Sequence, residues 1–172
     1  MTSVLDSIIQ GVQEDLAARK SKISLSELIQ ATQEVPRALP AAQLLQARSF
    51  SVIAEVKRAS PSKGHLSDIT DPAELAFSYQ TGGAQVISVL TEERRFNGSL
   101  ADLDAVRRKV SVPILRKDFM VDEYQIWEAR AHGADVILLI VAGLTDQQLN
   151  SLNALAIELG MSVLVEIHDE SE

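Results

Sequence analysis

Two hydrophobic rhythms divide the chain. Over residues 4–20, Val4, Leu5, Ile8, Ile9, Val12 and Leu16 share one helical face, and Arg19 and Lys20 suit the negative pole of such a helix. Ser24 or Ser26 can cap a second helix running to about residue 33. Pro36 and Pro40 punctuate the next stretch, and a short helix is expected over 41–47.

From Ser51 the pattern changes to short apolar runs separated by helical stretches. Strands are predicted from Ser51, over 85–90, 112–115, 135–141 and 161–167. Between them, Asp71-Pro72 opens a helix with a cap and a first-turn proline. Ser99 and Asp102 open the next as cap and N3 acid, one over 122–131 stops at Gly133, and Thr145 with Gln148 opens the last. Gly83-Ala84-Gln85-Val86-Ile87 and Gly133-Ala134-Asp135-Val136-Ile137 repeat one helix-to-strand junction.

Strand–helix alternation with near-continuously apolar strands implies a parallel sheet of the α/β class. A doubly wound sheet and a (β/α)8 TIM barrel both satisfy that rule. Ser60-Pro61-Ser62-Lys63-Gly64 lacks the glycine spacing of a dinucleotide-binding turn, which favours the barrel. A whole barrel has eight units in roughly 250 residues. The expectation is therefore a partial barrel: residues 1–48 form a helical N-terminal extension packed on it, and residues 49–172 supply its first five strands.

Charge interrupts this apolar pattern at three strand ends. Ile53, Glu55 and Lys57 alternate onto one face of the first strand, Lys117 closes the third, and Glu166 closes the fifth, on a face shared with Leu164 and His168. A structural ion pair would explain Glu55 and Lys57 taken alone. Repetition on three strands, at the end where α/β folds place their sites, points instead to an acid–base cluster. Arg58, Lys63, Arg94, Arg95 and Arg116 in the adjoining loops suggest a positive mouth for an anionic substrate, with Arg116 and Lys57 as cationic neighbours of Lys117. Phe96 and Phe119 sit in loops where either could line a pocket. His65 and His168 lack metal-ligand spacing, and no metal is assigned.

Composition narrows the field further. The 172 residues carry a net charge of −8, which argues against nucleic acid or anionic membrane as partners of the whole surface. There is no cysteine, so disulfides, thiol catalysis and thiolate metal sites are excluded. The start lacks the basic-then-apolar order of a signal peptide, and the longest apolar run, 136–144, is too short to span a bilayer. A cytoplasmic protein is expected.

Val52-Ile53-Ala54-Glu55-Val56-Lys57-Arg58-Ala59-Ser60-Pro61-Ser62, Phe96-Asn97-Gly98-Ser99, Leu115-Arg116-Lys117-Asp118-Phe119 and Val165-Glu166-Ile167-His168 together resemble indole-3-glycerol phosphate synthase of tryptophan biosynthesis. The resemblance covers essentially the whole chain. It implies a (β/α)8 barrel and a lyase. The reaction would close the indole ring of 1-(2-carboxyphenylamino)-1-deoxyribulose 5-phosphate, with loss of carbon dioxide and water and no cofactor. By position, Lys117 matches the general acid that protonates the substrate carbonyl oxygen, and Glu166 the acid/base of the dehydration. Glu55 and Lys57 match the pair that orients the substrate, and Ser60, Phe96 and Phe119 match pocket-lining positions.

The family continues with three more units after the position of Glu172, carrying much of the phosphate site. Truncation after the fifth strand is therefore expected. The alternative is a non-catalytic partial barrel, inactive alone or functional through association with the missing part, whose unpaired edges could also self-associate.

Overall fold

A computed structural model describes residues 3–170 together with Glu172. Three helices come first: α1 (Val4–Lys20), α2 (Leu25–Glu34) and α3 (Ala41–Gln46). Reciprocal capping boxes start α1 and α2. The Ser3 and Ser24 hydroxyls accept from the amides of Asp6 and Glu27, whose carboxylates accept from the cap amides in return. Of the apolar face expected for α1, Ile8, Val12 and Leu16 are buried, while Val4 is 66% exposed.

Beyond them lies the alternating part: β1 (Ile53–Val56), β2 (Ala59–Ser60), β3 (Gly64–His65), α4 (Pro72–Thr81), β4 (Val86–Leu90), α5 (Leu100–Lys109), β5 (Ile114–Lys117), α6 (Glu123–Ala131), β6 (Val136–Ile140), α7 (Asp146–Glu158) and β7 (Ser162–Glu166). A 3-10 turn, Val141–Gly143, succeeds β6. Five strands form one parallel sheet in the order β1-β4-β5-β6-β7. Strand order equal to chain order, with a helix between neighbours, is what the alternation implies.

Three local expectations needed correction. The loop after β1 contains a small antiparallel hairpin, β2 with β3, turning through Gly64 at φ +64. The strand expected over 112–115 begins at Ile114 and runs to Lys117. Pro113 has no amide to donate, so its carbonyl joins the ladder through Ile87 N while pairing proper starts one residue on. The strand expected from Ser51 likewise begins at Ile53, leaving Lys57 just beyond its end.

The sheet has two apolar faces. Outward, Val56, Ile87, Val89, Ile114, Ile137 and Leu139 pack with Leu103, Val106, Ile126, Leu152 and Ala156 of the helices. Inward, Val86, Leu115, Val136, Leu138 and Ile140 pack with Ala41 and Leu45 of α3. Because Val86 and Val136 open their strands, α3 closes the amino end of the inner face. Ala42 N donates to Ser162 Oγ there at 3.4 Å.

The long helix α1 lies over the other end. Leu5 and Ile9 reach Gly143, where an added Cβ would come within 3.0 Å of Ile9 Cδ1. At the far end of α1, Arg19 pairs with Glu128 at 2.9 Å and Lys20 with Asp122 at 2.8 Å, so α1 bridges to α6. Tyr124 Oη donates to Ile23 O at 2.9 Å beside the buried Leu16 and Leu28.

Candidate active site

Strand alternation places the charged residues on the inner face near the carboxyl ends. Glu55 is level with Ser88, Lys117 with Leu90, and Glu166 with Ile140. On β1, Lys57 Nζ lies 2.8 Å from Glu55 Oε1, and Ser88 Oγ donates to Glu55 Oε2 at 3.3 Å. The first-strand carboxylate therefore fixes the lysine beside it and is itself fixed from β4.

Lys117 and Glu166 stand on strands separated by β6, yet their side chains converge. Lys117 Nζ is 3.8 Å from Glu166 Oε2, and His168 Nε2 is 3.5 Å from Glu166 Oε1. The Lys117–Glu166 distance is longer than a hydrogen bond, so the two groups attract without being locked together. Both remain about one-third exposed, at 29% and 37%, and can meet a ligand.

Phe96 and Phe119 face each other with ring centroids 6.0 Å apart and planes tilted by 43°. Phe119 also packs against the inner apolar cluster. The loop holding Phe96 is built around Glu92, a residue that sequence reasoning passed over. The buried Glu92 carboxylate accepts from the amides of Arg94, Arg95 and Phe96 at 3.1, 2.7 and 3.0 Å. Asn97 then takes φ 53, and Gly98 passes so close to Leu90 that an added Cβ would stand 2.2 Å from its carbonyl oxygen. Ser60 Oγ accepts from Lys63 N at 3.3 Å inside the hairpin loop.

Most of the cations expected at the mouth are committed elsewhere. Arg116 points away from Lys117, because neighbours on a strand alternate, and it is wholly buried between β5 and α6. Its Nη2 lies 3.0 Å from Asp118 Oδ2 and 2.9 Å from Glu128 Oε2, its Nε donates to Thr91 Oγ1 at 3.1 Å, and its Nη1 to Gln125 O at 3.2 Å. Burial opposes that charge, but Asp118 and Glu128 together hold the Arg116 pKa above its ordinary value. Arg116 is thus a structural cation behind the site and no neighbour of Lys117.

Arg94 bonds Glu14 at 2.7 Å and Asp15 at 2.8 and 2.7 Å on α1, and those carboxylates raise its pKa. Arg95 Nη2 donates to Ser7 at 3.2 Å. Arg58 grips both oxygens of Asp102 at 2.6 and 3.0 Å, which takes Asp102 out of the reciprocal cap expected for α5, although Ser99 still caps it. Lys57 and Lys117 stand at this end, each beside a carboxylate, and Lys63 sits exposed in the hairpin loop. His65 pairs with Asp68 at 3.0 Å. Among the described residues no group of three or more metal-ligating side chains occurs.

The sequence pattern of the indole-3-glycerol phosphate synthase family matches residues 5–172. The chain belongs to that family. The five-stranded sheet is accordingly part of a (β/α)8 barrel. The indole-3-glycerol phosphate synthase of Rhodococcus jostii is 64% identical over 170 residues, covering 99% of this chain and 63% of the relative. That of Mycolicibacterium smegmatis is 60% identical over 99% of this chain and 62% of its own length. The Streptomyces griseus protein is 58% identical, over 99% and 63% respectively. The chain therefore spans under two thirds of the length of these curated relatives.

Proposed function

We propose that this chain supplies the acid–base half of an indole-3-glycerol phosphate synthase active site. The reaction is ring closure of 1-(2-carboxyphenylamino)-1-deoxyribulose 5-phosphate, with subsequent loss of carbon dioxide and water, as a cytoplasmic step of tryptophan biosynthesis. One observation carries the reading: Lys117 and Glu166 converge at 3.8 Å across β6, at the strand ends and next to an aromatic pair.

The geometry suggests a role for each group. The Lys117 ammonium donates a proton to the substrate carbonyl oxygen as the ring carbon attacks, so negative charge does not build up on that oxygen. Glu166 accepts the proton shed by the new ring and passes it to the resulting hydroxyl, which leaves as water. Glu55, braced by Ser88, holds Lys57 where its charge answers the anionic groups of the substrate. Phe96 and Phe119 flank the aromatic ring and exclude water, with Ser60 lining the loop side. No cofactor enters this scheme. Among the described residues no helix is long and apolar enough to cross a membrane.

The test is product formation by the chain alone and by the chain mixed with a polypeptide carrying the three later strand–helix units of the family. Indoleglycerol phosphate is expected in the mixture. No product in either case, from a complement that activates the equivalent portion of the Rhodococcus jostii relative, would overturn the catalytic reading.

A second reading, a partial barrel that acts through association, has its own supporting observation. Among the described residues, the outer edges of β1 and β7 pair with no strand, and Ile53 and Leu164 on the inner face are each 39% exposed. Unpaired edges beside exposed apolar side chains favour self-association. Light scattering of the isolated chain is expected to show species larger than 18.7 kDa. A stable monomer on dilution would count against it.

A further inference from the structure

A cleft of about 370 Å³ opens at the amino ends of β5 and β6, the end of the sheet opposite Lys117 and Glu166. Its lining includes Arg37, Arg107, Ser111, Arg130, Gly133 and Asp135. The charges do not balance. Asp135 is the one acid among the described lining residues, and both its oxygens are taken. Oδ1 accepts from Leu39 N at 2.7 Å, and Oδ2 accepts from Ile114 N and Arg107 Nη1, each at 2.8 Å. Gly133 matters here, because an added Cβ would stand 2.9 Å from Arg107 Cγ, whose stem lies across it.

Arg130 is the anomaly. It is only 5% exposed, yet it forms no ion pair among the described residues. Its Nη1 donates to Ala134 O at 2.7 Å and its Nη2 to Pro36 O, both neutral carbonyls. Burying a guanidinium without a counter-charge is costly. The strain shows in its pKa, which burial pushes down, Asp135 draws up by less, and Arg107 pushes down further. Arg37, in the same cleft, holds no hydrogen bond or ion pair among the described residues. The Nε–H groups of Arg107 and Arg130 have no acceptor among them either. Three guanidiniums and one spent carboxylate leave an excess of two positive charges around a space large enough for a small molecule.

We propose that this cleft is a second anion site, which takes a phosphate group through Arg37 and Arg130, with Arg107 behind them. Guanidinium forks match phosphate oxygens, and a bound dianion would add the direct ion pair that Arg130 lacks to the weaker pull of Asp135. The site is separate from the reaction at the strand carboxyl ends and stands whether or not that reading holds.

The probes are inorganic phosphate and glycerol phosphate, titrated separately by calorimetry into the chain at an ionic strength fixed with chloride. Saturable binding is expected. Arg37→Glu should weaken it by roughly 10-fold or more, since it replaces an attraction by a repulsion. Arg37 is exposed and holds no hydrogen bond or ion pair among the described residues, so this variant keeps its fold even where Arg130→Gln does not. Lys22→Met, which removes an exposed cation outside the cleft, should leave the binding unchanged. Tighter binding of glycerol phosphate assigns the site to an organic phosphate, and equal binding assigns it to the free ion. Absence of saturable binding, binding indifferent to Arg37→Glu, or binding weakened equally by Lys22→Met would each overturn the proposal.

Discussion

Replacing Lys117 by Met is expected to lower ring closure by roughly 100-fold or more while leaving the fold intact. The substitution keeps the length of the side chain and removes its proton. Lys117 and Glu166 are each about one-third exposed and 3.8 Å apart, so losing their attraction costs roughly 0–1 kcal/mol of stability, as for most solvent-screened pairs. A catalytic loss without a stability loss is the signature to look for. Steady-state kinetics in whichever form closes the ring, alone or completed by the later strands, would be paired with a thermal melt. Glu166→Gln should slow a proton-transfer step with substrate affinity nearly unchanged, because the amide preserves shape. Should Lys117→Met turn over at near-parental rate, the acid assignment passes to Lys57, which Glu55 already holds at 2.8 Å.

Arg116→Met is expected to do the reverse, destabilising the fold through a residue that takes no part in the chemistry. It removes the cation shared by Asp118 and Glu128 in a region where all three side chains are buried. Removing one partner of such a network typically costs about 3–5 kcal/mol, since the remaining charges stay desolvated. Urea denaturation should show a lower midpoint with a similar slope. A loss below about 1 kcal/mol would mean that Thr91 and Arg19 suffice to hold the two carboxylates. The effect should be flat across neutral pH. A guanidinium whose folded pKa is raised stabilises fully below its ordinary value, and that contribution fades only as pH climbs through the raised one. Arg116→Lys keeps the charge but not the fork, and should fall between the parent and the Met variant.

The elements written into the sequence by local chemistry came out where they were expected. Asp71 with Pro72 and Thr145 with Gln148 start helices through contacts within three residues, and Ser24 proves to be the cap of the two serines offered for α2, so the determinants lie together in the sequence. Strand limits were less legible, because a strand starts where its neighbour offers a partner. Pro113 delayed the start of β5 by denying one, and Lys117 joined its end because Leu90 pairs with it on β4. The least legible feature was the use of each arginine. Arg58 serves Asp102, 44 residues away, and Arg94 serves Asp15, 79 residues away, so their loop positions said nothing about where their charges end. Glu92 gave no sign of its three amide bonds, since only the folded loop turns those amides toward it. Lys117 and Glu166 were legible as residues but not as a pair. Only the width of β6 parts them, and their 3.8 Å approach exists only in the fold.

The anchoring of α1 to the body bears on the order in which the molecule assembles. The caps of α1 and α2 close over three residues, so where these helices start is set locally, while their stability waits on packing. What fixes them lies far downstream: Arg19 awaits Glu128, 109 residues on, and Leu39 awaits Asp135, 96 residues on. Closing loops of that length carries an entropic toll that no local contact repays, and it slows the search. During synthesis the opening stretch would therefore stay only partly helical, its apolar positions uncovered until β6 has emerged. Ile8, Val12 and Leu16 spend that interval in water, an apolar surface of the kind that chaperones hold.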